Sequence, residues 1–320
     1  MADEKEQRDV YYDRELGIEA YHLGGIVQKF PNHFHEYYVI GFIEGGRRHL
    51  SCKGREYDVE AGDLLLFNPR DNHFCGPVNG EILDYRAVNI PQDVMLTAVS
   101  EIMGEDYTPH FTQNVVRQSE IAQAAGDLYD AILSKAPRLK REEAFFFLLE
   151  QVIREYAKPF EELAAAEPDE QIKRLCSYME EHFEENISLD ELLGMTTFGK
   201  SYLLRQFTKQ VGVSPYRYLQ NVRLDRAKKL LEQGIAPVDA AVMTGFSDQS
   251  HFTNFFKEFI GLTPKQYQRI FTDEGKTPEV IPEEIDQWDN REGNRRGSRG
   301  NSKGDNGVDN KGDKKETADE

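Results

Sequence analysis

The sequence predicts a multidomain chain: an all-β barrel at the N-terminus with a helical segment behind it, an all-α C-terminal domain, and a disordered tail. Three observations carry this. The first ninety residues are short β-branched and aromatic runs separated by turn clusters. Residues 186–271 repeat one helical plan twice, and from Asp289 onward only Val308 and Ala318 are apolar. At 320 residues the chain also exceeds what one ordinary core serves. The expected divisions are 1–110 for the barrel, 111–168 for the helical segment with its linker, 169–272 for the all-α domain and 273–320 for the tail.

The β elements come first. Tyr37–Ile43, Arg47–Cys52, Glu56–Val59, Leu64–Phe67 and Leu83–Ile90 read as strands, broken by Glu44-Gly45-Gly46, Lys53-Gly54, Ala61-Gly62-Asp63 and Asn79-Gly80. Strands at such close spacing with no helical pattern between them indicate a small barrel or sandwich. After Pro91 the period becomes helical, in Ser119–Ser134 and Glu142–Tyr156. The second of these holds Phe145, Phe146, Phe147, Leu148, Leu149, Val152 and Ile153, more apolar bulk than one face against a small sheet buries. A helix-to-helix contact in a homodimer is the expectation, with a core helix inside the chain as the alternative. Ala164-Ala165-Ala166-Glu167-Pro168 is the expected linker, and the polar tail cannot bury enough apolar surface to offset its chain entropy.

The repeat fills the next hundred residues. Its first unit runs Ile187–Phe198, Gly199–Lys209 and Val211–Pro215; its second runs Ala236–Phe246, Ser247–Lys257 and Ile260–Pro264. Each is a short helix, a tight turn and a longer helix closed by Gly-x-Ser/Thr-Pro, which is helix-turn-helix geometry in duplicate. Ser188 and Ser247 are the expected N-caps. Helical spacing sends Tyr202, Leu203 and Phe207, and Phe252, Phe256 and Phe259, into the core. The opposite faces carry Lys200, Ser201, Leu204, Arg205, Thr208 and Lys209, and Gln249, Ser250, Thr253, Asn254 and Lys257. Gln and Asn suit adenine edges and Arg suits guanine, because each makes two hydrogen bonds to one base. Double-stranded DNA is therefore the expected partner.

The formal charge of −18 speaks against so anionic a partner until it is divided. Residues 1–168 carry −13, residues 169–271 carry 0 and the remainder −5, while Gly199–Leu231 alone carries +7. That stretch holds Lys200, Arg205, Lys209, Arg217, Arg223, Arg226, Lys228 and Lys229 against Asp225. It is the expected phosphate-facing surface. Removing Lys228 or Lys229 is expected to do little beyond reducing salt dependence.

The run Arg223-Leu-Asp-Arg-Ala-Lys-Lys-Leu-Leu231, then Gly245-Phe-Ser-Asp-Gln-Ser-His-Phe252, Phe256-Lys257, Gly261-Leu-Thr-Pro264 and Tyr267, resembles the signature of AraC/XylS-type transcription regulators. The resemblance covers about 100 residues. It implies two helix-turn-helix units joined by a long helix, here Pro215–Glu232, whose recognition helices enter successive major-groove segments of promoter half-sites. The implied base-contacting positions are Ser201, Leu204 and Arg205, with Gln249, Ser250, Thr253 and Asn254. It further implies a small-molecule effector, a homodimer and, when the regulator activates, RNA polymerase as partner; activation is the usual family role. Three departures from the pattern stand out: Gly199 replaces a capping Ser, Asn254 replaces an Arg, and Pro237, Ala240 and Ala241 lie in the supporting helix where a bulkier residue is expected at some positions.

In the β region, His33-Phe34-His35, then Gly45-Gly46, then Gly62-Asp63 through Asn68-Pro69, then His73, resemble a cupin and the arabinose-binding-type sensor domain. Three imidazoles could hold a divalent ion. Cupin metal sites, however, add a Glu where this chain has Val39 and Ile40, and Glu36 should point to the opposite face. The expectation is a ligand pocket without a cofactor, lined by His33, His35, Tyr37, Arg48, His73 and Tyr85, with Arg86 nearby. A metal on His33, His35 and His73 is the alternative. No nucleophile–base pair is legible, and Cys52 and Cys75 read as packed residues, so the chain is not expected to be an enzyme. The competing readings are a metal-dependent cupin enzyme fused to a DNA-binding module and a non-specific DNA-coating protein. Three cysteines, no apolar run of about 18 residues and a charged Met1–Val10 point to a cytoplasmic protein without membrane association.

Overall fold

The computed structural model describes residues 6–160 and 169–272. The expected linker at Ala164–Pro168 and the expected tail at 273–320 lie outside them. Among the described residues there are three antiparallel sheets. The largest runs in the order β1 (Gln7–Asp13), β2 (Ile18–Ile26), β9 (Leu83–Ile90), β4 (Tyr38–Gly45), β7 (Leu64–Phe67) and β11 (Val115–Val116). The second is β3 (Phe30–His33), β8 (His73–Pro77), β5 (Arg47–Cys52) and β6 (Arg55–Glu60), and a ribbon pairs β10 (Pro109–Phe111) with β12 (Ala157–Pro159). Helices α1 (Gln92–Met103), α2 (Ile121–Leu133) and α3 (Arg138–Tyr156) complete this domain.

Successive strand residues point to opposite faces, and the six-stranded sheet buries both. Val39, Ile43, Leu65, Phe67, Leu83 and Ala87 face a core shared with Leu50, Cys52 and Val59 of the second sheet. Tyr38, Ile40, Phe42, Leu64, Leu66, Val88 and Ile90 pack instead on the helices, against Met95, Val99, Leu128 and Leu149. That is why these strands read as unbroken apolar runs rather than alternating ones.

The same packing answers the surplus on α3. Phe145, Leu148, Leu149, Val152 and Ile153 are buried within this chain, where α1 and α2 share the load with the sheet. Only Leu139, 66% exposed, and Phe147, 61% exposed, stand out on that helix. For these five residues the alternative, a core helix inside the chain, is the one that holds.

The C-terminal domain is all helical: α4 (Glu170–Glu181), α5 (Leu189–Gly194), α6 (Lys200–Val211), α7 (Pro215–Glu232), α8 (Pro237–Met243), α9 (Gln249–Ile260) and α10 (Pro264–Thr272). The Gly-x-Ser/Thr-Pro closures have a mechanical reason. Gly212 and Gly261 end α6 and α9 with φ of 86° and 84°, and Pro215 and Pro264 open the next helices where a missing N–H costs nothing. Ser188 forms a capping box with Glu191, its hydroxyl accepting from the Glu191 amide at 3.2 Å while the Glu191 carboxylate accepts from the Ser188 amide at 2.6 Å. Ser188→Ala should lower stability by about 0.5–2 kcal/mol, read as a shift in the urea midpoint. Gly199 caps α6 without a side-chain bond. At α9 the cap is Asp248, which accepts from the His251 amide at 2.7 Å, one residue beyond the expected Ser247.

The two domains form one compact unit. The side-chain amides of Asn32 and Asn72 each donate to the Gly212 carbonyl at 3.1 Å. Arg70 bridges Glu36 at 3.1 Å and Glu180 at 3.0 Å, and Phe34 inserts into the core of the first helical unit beside Tyr218. The core around the second unit is continuous with that between the two sheets. No helix among the described residues is long and apolar enough to cross a membrane.

Candidate nucleic-acid interface and ligand cavity

The outward faces of α6 and α9 carry all ten side chains expected to contact DNA. Lys200, Ser201, Leu204, Arg205, Lys209, Gln249, Ser250 and Asn254 are exposed, and Thr253 and Lys257 are half-buried. On the inward faces Leu203 and Phe207, and Phe252, Phe256 and Phe259, are buried as their spacing requires. Tyr202 is the exception at 46% exposed, lying edge-on to Phe198. One residue is a 100° step on a helix, so Leu203 and Phe207 take the centre of the face and Tyr202 falls on its rim.

The basic stretch is less uniform than its sum suggests. Lys200, Arg205, Lys209, Arg226 and Lys229 are exposed, but the other three are not. Arg223 is buried, donating to the carbonyls of Phe183 at 2.7 Å and Glu185 at 2.8 Å. Arg217 lies over the rings of Phe255 and Phe259, at 5.6 and 5.2 Å from their centroids. Lys228 is 5% exposed, with Nζ 3.3 Å from the Glu19 carboxylate of β2 and 4.4 Å from the Tyr37 ring. The expectation that Lys228 is a dispensable surface charge is therefore wrong. Helix α7 runs between two cores, so Arg217, Arg223 and Lys228 on it are taken up by packing. Lys229, one residue on, is exposed and pairs with Asp225.

Between the two sheets lies a cavity of about 110 Å³. His33, His35, Tyr37, His73 and Tyr85 line it as expected, with Tyr21, Phe67, Cys75 and Asn89. Strand pairing sets His33 directly opposite His73, and His35 follows in the next turn of chain. The ring centroids are 4.4 Å apart for His33 and His73, 4.7 Å for His33 and His35, and 5.2 Å for His35 and His73. Burial, reinforced by their mutual proximity, holds the His33 and His35 imidazoles well below their ordinary titration range, and burial lowers His73 as well. Gly41 makes room for Tyr85: a Cβ there would stand 2.0 Å from the Tyr85 hydroxyl oxygen.

Two arginines expected near the pocket are used elsewhere. Arg48 is fully buried outside the lining, donating to the carbonyls of Ile26 and Gln28. Arg86 pairs with Glu44 and Asp130 on the other face of the sheet. Glu36 points away from the histidines toward Arg70, as its parity requires. Burial pushes the Cys52 thiol up to about 12 and Cys75 up to about 11, so both stay protonated at neutral pH. The element that sequence reasoning missed is the cavity's last wall. Phe259 and Ile260, the final residues of α9, close it from the DNA-binding domain. Their periodicity announces burial, but nothing in it says that the burial is against another domain.

Two exposed recognition helices in a duplicated helix-turn-helix domain, docked on a β domain that encloses a cavity, define a DNA-binding regulator carrying its own ligand compartment. The comparisons with known proteins agree. Residues 15–149 match the AraC-like ligand binding domain and residues 193–270 a helix-turn-helix domain. The chain is 49% identical over 248 residues to the HTH-type transcriptional regulator YbfI of Bacillus subtilis, a match spanning 78% of this chain and 90% of that protein. It is 25% identical over 254 residues to the HTH-type transcriptional activator RhaS of Citrobacter koseri, spanning 75% and 88%. Among solved structures, ToxT of Vibrio cholerae superposes with a TM-score of 0.46 at 14% identity, covering 83% of this chain and 98% of that one. The chain belongs to the AraC/XylS family of transcription regulators.

Proposed function

We propose that this regulator is a cytoplasmic transcription activator that binds paired promoter half-sites as a homodimer and is controlled by a small molecule held in the β-domain cavity. One observation carries the reading: the cavity wall includes Phe259 and Ile260, at the C-terminal end of the helix whose first turns present Gln249, Ser250 and Asn254. Whatever fills the cavity bears directly on the second recognition helix. An effector that contacts this wall differently in two placements of the helix shifts the population between them. Activation, with RNA polymerase as the partner, is supported by the name of the RhaS relative. Leu139 and Phe147 are the residues through which α3 would meet a second copy.

The test is a footprint on DNA upstream of neighbouring genes, with and without candidate small molecules. A specific site should be preferred over random DNA by about 10³-fold or more; equal affinity for all sequences would reduce the protein to a DNA-coating role. Within that site Arg205→Ala should cost about 1–3 kcal/mol and relax the preference at one base position. Lys229→Ala should weaken all sequences alike and reduce the salt slope by about 1. Unchanged binding and preference in Arg205→Ala would remove α6 from the reading face.

A further inference from the structure

We propose that His33, His35 and His73 form a binding site for one divalent transition-metal ion, and that an anionic small molecule completes its coordination in the cavity. The proposal rests on taking the cavity as the regulator's ligand compartment. The ligating nitrogens of the three rings already lie within 4.8 Å of one another. They come from β3, its exit and β8, whose pairing sets His33 against His73, so the sheet itself holds the cluster together. Two of the rings are also oriented for ligation. His33 Nδ1 is 2.6 Å from the Pro31 carbonyl and His73 Nδ1 is 2.8 Å from the Asp71 carbonyl. A carbonyl oxygen can only accept, so each Nδ1 carries the proton and each Nε2 keeps its lone pair. An outer carbonyl fixing the tautomer of a ligating imidazole is the usual support of a metal-bound histidine. Ring stacking fixes the planes: His73 lies parallel to Phe67 at 4.1 Å and His35 on Tyr37 at 4.8 Å.

The charge balance then selects the ligand class. Three neutral imidazoles leave both charges of a dication uncompensated, and no Asp or Glu is among the described residues lining the cavity. Such a charge in a mostly apolar compartment is costly without an anion beside it. Imidazole donors suit Zn²⁺, Co²⁺, Ni²⁺ or Fe²⁺, and an oxygen anion such as a carboxylate completes the shell. The occupant would lie one ring from α9, since the Phe259 ring stands edge-on to His33 at 5.4 Å.

The test uses the purified full-length protein, stripped with chelator and titrated with Co²⁺ alone. Expected are visible d–d bands saturating at one equivalent per chain, displaced by Zn²⁺. His35→Gln and His73→Gln should each weaken binding by at least tenfold while keeping the wild-type circular dichroism. His49→Gln, at an exposed histidine 2.9 Å from both Glu56 and Asp58, should change nothing. No saturable bands, or bands lost in His49→Gln and kept in His73→Gln, overturn the metal site. Acetate or azide at millimolar concentration should shift the Co²⁺ bands, and bands indifferent to both overturn the anion. A sequence-specific footprint from the metal-free protein keeps the regulator reading standing even where Co²⁺ fails to bind.

Discussion

Lys228→Ala is expected to destabilise the protein by about 3–5 kcal/mol, the loss typical of breaking a buried ion pair from one side. The ammonium lies against the Glu19 carboxylate, the Tyr37 ring and, at 5.2 Å, the Tyr267 ring, with the Tyr267 hydroxyl donating to Glu19. Burial alone would lower the lysine pKa, but Glu19 first, then Tyr37 and Tyr21, push it well above its ordinary value, so the ammonium stays charged. Alanine in its place leaves a buried carboxylate with only neutral donors, the Tyr267 hydroxyl and the Asn89 side-chain amide. The urea midpoint should fall steeply, whereas Lys229→Ala should leave it within about 0.5 kcal/mol. The loss measures the orphaned carboxylate rather than the worth of the pair, and a cycle separates them. Glu19→Gln combined with Lys228→Met should recover much of the single-mutant loss, because an uncharged pair of similar volume avoids burying either charge. Equal midpoints for Lys228→Ala and Lys229→Ala would mean that α7 does not dock on β2 through this pair.

How much of this was legible in the sequence follows from how local each signal is. The bounds of β5, β7 and β9 are those read from the sequence, since each is an apolar run between turn residues, and those of α7 are the ones the family resemblance implied. Strands β1, β3 and β8 were not. β1 mixes Gln7, Arg8 and Asp9 with Val10 and Tyr11 at a sheet edge, while β3 contains Pro31 and β8 ends in Gly76 and Pro77, so both resemble turns. The outward faces of α6 and α9 were legible because helical period fixes them within each helix. The pocket was legible only in part. Arg48 shares the parity of Leu50, which lines the cavity, but it stands at the far end of β5, where the carbonyls of Ile26 and Gln28 claim it. The contacts between domains were not legible at all. Glu19 and Lys228 are 209 residues apart, and neither shows by type or spacing that the other is its partner.

Phe259→Ala is expected to match Lys228→Ala in stability loss, about 3–5 kcal/mol, while sparing the DNA contacts. The ring is 6% exposed and packed on His33, on Phe255 at 4.4 Å and under the Arg217 guanidinium at 5.2 Å. Removing it takes apolar area out of close packing and opens the cavity toward α9, where most of the other walls are paired strands that cannot close inward to fill the gap. It leaves Gln249, Ser250 and Asn254 untouched, because they lie on the outward face of the same helix. Two readouts should therefore part company. The urea midpoint should drop, and affinity for the specific DNA site without effector should stay within about threefold, well short of the loss that 1–3 kcal/mol brings in Arg205→Ala. The effect of an effector on that affinity should shrink, because a ligand moves an equilibrium only by the difference in its contacts with the two states, and Phe259 is, with Ile260, one of the two contacts that α9 contributes. Phe259→Leu, keeping an apolar wall, should retain part of the response. If Phe259→Ala instead weakens effector-free DNA binding as much as Arg205→Ala does, the residue acts through the reading face and the cavity is not the lever on α9.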